Sequence, residues 1–200
     1  MMFDIITIFL VGILLLFAIY TAIQFRGKFS KRTIEDVTPF LRPAEHEELE
    51  SLLDPAQETN FRLRMSPQEF AEWQRRRIHL LREYLLRMSH NALVLIEWGN
   101  METVETGTGA ETSQRQLMAK ELVQAATEFR LYSMLALGQL KLWLVMPAWC
   151  NLLLPSPSLP SMRHVFGIDA LGSYQRLKTA ASGLSLAHGL HFHDELLERL

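Results

Sequence analysis

The chain has 200 residues, 48% hydrophobic and 21% charged, with a formal net charge of −2 and a mean hydropathy of +0.06. That balance is too apolar for a wholly soluble chain and too charged for a polytopic membrane protein, so one membrane segment plus one water-facing body reconciles it. A pI near 6.4 leaves no sustained basic surface for nucleic acid, and Cys150 as the only cysteine excludes an intramolecular disulfide or a cysteine metal cage.

Residues 5–25 carry no charged side chain. At about 1.5 Å per residue such a run covers the roughly 30 Å hydrocarbon core of a bilayer. Asp4 precedes it and no small-x-small cleavage pattern follows, so the segment reads as a retained signal anchor. Arg26, Lys28, Lys31 and Arg32 come next, which predicts a single-pass cell-membrane protein with its N-terminus outside and its C-terminal domain in the cytoplasm. Gly12 has no small partner four residues away, so the small-xxx-small dimer motif is missing.

Residues 33–65 read as a linker holding a short acidic helix that carries Glu45, Glu47, Glu48 and Glu50. Pro43 suits its first turn and Asp54-Pro55 its end. The clearest start signal is Ser66-Pro67-Gln68-Glu69, a capping box with proline at the first helical position. From there Ala71, Gln74, Ile78, Leu81, Leu85, Met88, Ala92, Leu95 and Gly99 recur at spacings of three and four, a heptad seam that fades near Gly99-Asn100.

Thr106 to Gly109 supplies a turn. A second seam runs through Met118, Leu122, Ala125, Phe129, Tyr132, Ala136, Gln139, Trp143 and Met146, stopping at Pro147. Residues 66–154 are therefore expected to form a long antiparallel, coiled-coil-like hairpin. A second crossing by residues 131–149 is opposed by Gln139 and Lys141 at its middle. After a proline-rich break, residues 155–200 read as a C-terminal cap of short helices, completing an all-α chain whose first domain is the anchor, residues 1–32.

Two clusters stand out. The base of the hairpin gathers Arg75, Arg76, Arg77 and Arg82 near the apolar stretch with Trp143 and Trp149, which suggests a membrane-surface site; the competing expectation pairs the arginines with Glu45 to Glu58. His188, His191 and Glu195 would share one helical face, the arrangement of a divalent transition-metal site and the one cofactor the sequence leaves room for.

No serine elbow, phosphate loop, dinucleotide fingerprint, zinc-protease motif or Glu-x-x-His pair occurs. The expected function is a membrane-anchored helical scaffold or interaction protein, with membrane lipid and a protein partner or second copy as its contacts and no nucleic acid. The rival readings are a metal-dependent enzyme or sensor built on the histidine cluster, and a subunit of a larger membrane complex.

Overall fold

A computed structural model describes residues 36–43, 52, 54–104, 110–145 and 170–200. The chain divides into two compact units, Met1–Lys31 and Arg32–Leu200, and all described residues belong to the second. The expected span at residues 5–25, the acidic helix around Glu45–Glu50, the turn at 106–109 and the proline-rich break lie outside the described residues. Those residues are helical without a strand: a 3-10 turn Thr38–Phe40, then α1 (Pro55–Arg64), α2 (Pro67–Val104), α3 (Ala110–Val145), α4 (Ala170–Leu186) and α5 (Leu190–Arg199). Among them no helix is long and apolar enough to cross a membrane.

Asp54-Pro55 begins a helix; the acidic helix it was expected to end lies outside the described residues. The Asp54 carboxylate accepts the Ala56 amide at 2.8 Å and Pro55 takes the first position, where a missing N–H costs nothing. Arg62 and Arg64 close the last turn, where cations suit the helix dipole. The capping box at the start of α2 forms as its residue types dictate. The Ser66 amide and hydroxyl donate to Glu69 Oε2 at 3.0 and 2.8 Å, and the Glu69 amide donates back to Ser66 Oγ at 3.4 Å. These bonds to the charged form, the amide first, hold the Glu69 carboxyl below the usual carboxylate range.

α2 and α3 make the most extensive contact among the described elements, joined through residues 105–109 as an antiparallel hairpin. On α2 the buried face is the expected one from Ile78 to Gly99, whereas Ala71 is exposed and Gln74 half-buried. On α3 the seam is shifted at alternate positions. Leu122, Phe129 and Ala136 are buried as their spacing predicts, but their partners in the core are Ala119, Ala126, Ser133 and Leu140, one residue beyond Met118, Ala125, Tyr132 and Gln139. Small side chains let the two backbones approach closely. A Cβ at Gly99 would stand 2.7 Å from Val123 Cγ2 and 3.2 Å from the Ala119 carbonyl, so glycine fills a contact there and the helix continues past it to Val104.

α4 packs antiparallel on α3. The Phe129 and Tyr174 rings lie 5.1 Å apart, and Arg176 faces Glu128 at 3.9 Å. α5 folds back on α4 after Gly189, whose φ of +108° suits glycine because a Cβ is strained there. The segment 36–43, expected as linker, is instead part of the core. Val37 and Leu41 are buried with the hairpin and C-terminal helices, and the 3-10 turn touches α5.

Candidate functional site

Three polar constellations sit within this body, each built from helix positions that bring distant residues together. The first surrounds Asn91, fully buried on α2. An isolated amide there is costly unless its donors and acceptor are used. Its Oδ1 accepts the Arg42 backbone amide and its Nδ2 donates to the Arg42 carbonyl, both at 2.8 Å, so one side chain pairs with a peptide unit as a neighbouring strand does. His90 Nε2 adds a 3.1 Å contact to the Phe40 carbonyl. Asn91 also hydrogen-bonds Tyr174, whose phenol burial pushes up to about 12 against that bond. The Tyr174 hydroxyl donates to the Leu200 carbonyl at 2.8 Å. The segment 36–43, α2, α4 and the residue after α5 are thus tied at one node.

The second lies at the far end of α2. Trp98 is fully buried and its Nε1 donates to Glu102 Oε1 at 3.0 Å. His188 Nε2 approaches the same oxygen to 3.2 Å, close enough for an ion pair but not aligned as a hydrogen bond, while Glu102 Oε2 meets no polar partner among the described residues. Phe192 meets the Trp98 ring edge-on at 5.5 Å. Nearby on α2 and α3, Glu97 and Arg130 are both buried; burial pushes the Arg130 guanidinium down and the Glu97 carboxylate opposes that.

This geometry alters the histidine cluster. His188 turns inward against Trp98 and Glu102, His191 is exposed, and Glu195 is half-buried on α5. His193 Nδ1 instead meets Ser185 Oγ at 2.8 Å. Among the described residues no group of three His, Cys, Asp or Glu side chains is placed to hold a metal, so His188, His191 and Glu195 do not converge. Glycine at 189 starts α5 after His188 rather than letting one helix carry both imidazoles. Glu102 was missed because it stands far off in sequence, although the Trp98–Glu102 spacing of four is itself a legible helical pair.

The third constellation separates the four arginines. Arg77 is 5% exposed and belongs to the interior. Its Nη1 donates to Glu58 Oε2 at 3.0 Å, its Nε donates to the Leu52 carbonyl, and its Nη2 reaches the Asp54 carbonyl at 3.5 Å. The Trp73 ring covers the guanidinium at 5.1 Å, with Phe61 and Phe70 against the same indole. Arg77 therefore docks α1 and is not a surface residue. Arg75, Arg76 and Arg82 are exposed. The Trp143 side chain and Trp149 lie outside the described residues.

An open groove of about 530 Å³ between the start of α3 and the end of α4 is lined by Gln114, Arg115, Met118, Gly183, Leu186 and Ala187. It brings together no nucleophile and base. No protein-family model, no curated protein and no solved structure matches this chain.

Proposed function

We propose that the chain is a single-pass, membrane-anchored helical scaffold or interaction protein whose helical body lies in the cytoplasm. The observation that carries this reading is the uncharged run of residues 5–25 followed at once by Arg26, Lys28, Lys31 and Arg32. The use of polar groups in the body supports it: Asn91, Tyr174, Arg77 and Glu58 are spent on joining elements to one another, as cohesion requires and catalysis does not. The heptad seam packs internally, with Leu81 and Phe129 buried, so partners meet the outer faces of the body.

Alkaline carbonate extraction of native membranes, followed by protease treatment of sealed vesicles of known orientation, tests both parts. The protein is expected to stay in the membrane pellet, with its body cut only from the cytoplasmic side. Release into the supernatant defeats the anchor; cleavage from the outer side defeats the orientation.

A further inference from the structure

On α2, Arg75, His79, Arg82 and Leu86 follow one another at spacings of four, three and four, which confines them to an arc of about 60°. All four are exposed. Arg76, also exposed, lies beside the stripe, about 60° beyond its edge. Among the described residues neither Arg75, Arg76 nor Arg82 enters an ion pair, and the nearest downstream carboxylate, Glu83, is held by Arg87 at 2.6 Å. The buried ion pair of Arg77 with Glu58 sharpens the contrast: of Arg75, Arg76, Arg77 and Arg82, the member with an acidic partner among the described residues is the one that faces inward.

We propose that this Arg75–His79–Arg82–Leu86 stripe is a docking face for the anionic surface of the bilayer. The inference rests on the anchor reading above. Guanidinium groups meet phosphate and carboxylate head groups with paired N–H donors. Leu86, about half-exposed at 46%, suits the boundary between head groups and acyl chains, the combination of basic and apolar side chains that interfacial helices use. Three arginines hold a free protein only weakly to such a surface; a protein already tethered through its own chain needs no more, because the tether supplies a high local concentration of head groups. The stripe thereby lays the first half of α2 along the membrane and leaves the groove at the other end of α3 and α4 for other contacts.

The test uses the full chain reconstituted in vesicles, with Cys150→Ser and Leu86→Cys carrying an environment-sensitive fluorophore and nitroxide-labelled lipid as quencher. Quenching is expected in phosphatidylserine-containing vesicles and to be lost in pure phosphatidylcholine, at high salt, and after Arg75→Glu with Arg82→Glu. A label at Glu121, on α3, is expected to stay unquenched throughout. Equal quenching in neutral and anionic vesicles, or none in either, overturns the proposal. So does a response that soluble polyglutamate evokes and anionic lipid does not, which assigns the stripe to an acidic polypeptide. Arg75→Gln with Arg82→Gln, checked for helicity by circular dichroism, guards against misfolding of the charge-reversed chain; the lipid and salt dependence of the unreversed protein decides in either case. Carbonate extraction of the same protein reports on the anchor separately. If the anchor fails, flotation with anionic vesicles still decides the stripe: salt-sensitive co-flotation supports it and its absence overturns it.

Discussion

In the first half of α2, Arg77 and Trp73 hold α1 by charge and by aromatic faces; in the second half, Gly99 holds α3 by letting two backbones close to contact distance. The difference is one of what each joint tolerates. The ion pair joins a ten-residue helix with few other contacts, so its loss frees one element. The close seam sits among Leu95, Trp98, Ala119 and Leu122, all buried together, so damage there is felt by four helices at once.

The sharpest way to break this comparison is Phe129→Ala. Deleting a fully buried ring that packs on Tyr174 is expected to cost about 3–5 kcal/mol and to lower the main thermal transition. Glu58→Ala leaves the Arg77 charge buried without its carboxylate, on the order of 3 kcal/mol against the docked state. The expected result is local: faster amide exchange in residues 55–64 with the main transition nearly unchanged. A matching collapse of the whole body would erase the distinction between the two joints.

Asn91→Ala strands the Arg42 amide and carbonyl, a cost of about 2 kcal/mol. Limited proteolysis is expected to cut within residues 36–54 well before it cuts α2. Gly99→Ala is smaller, because crowding against Val123 of about 1–3 kcal/mol is offset by about 1 kcal/mol of helix propensity. Val123→Ala is expected to relieve it in a double-mutant cycle read by denaturant unfolding; simple additivity would mean that a Cβ at position 99 does not meet the Val123 side chain.

The smallest effect at neutral pH concerns Tyr174. Its folded pKa of about 12 stands above the ordinary value of 10.0, so the neutral phenol stabilises the fold fully below pH about 10, and that contribution is lost as pH rises through about 12. Absorbance titration should show one of the four tyrosines ionising late in the folded protein and normally in denaturant.

How much of this was legible follows the same division. The face of α2 from Ile78 to Gly99 and the capping box at Ser66–Glu69 were readable because periodicity and caps are local. On α3 the hydrophobic pattern favoured Met118 and Tyr132, whereas the core takes Ala119 and Ser133; closeness to another helix selects small residues, and no single-helix pattern reports it. The 36–43 segment looked like linker because its burial depends on Asn91, 49 residues away. Arg77 looked like its neighbours until Glu58 and Trp73 were set beside it. Residues 188–195 offered metal-capable types at helical spacing, but the break at Gly189 turns His188 inward.

Trp98 carries a consequence for watching this protein at work. Its indole is sealed from water, donates to a carboxylate and has an imidazole ring 5.8 Å away, so its emission should be blue-shifted and sensitive to whether the turn after α4 stays closed. With Trp73, Trp143 and Trp149 replaced by phenylalanine, time-resolved fluorescence of Trp98 thus offers an optical gauge of the junction between α2, α4 and α5 without attaching any dye.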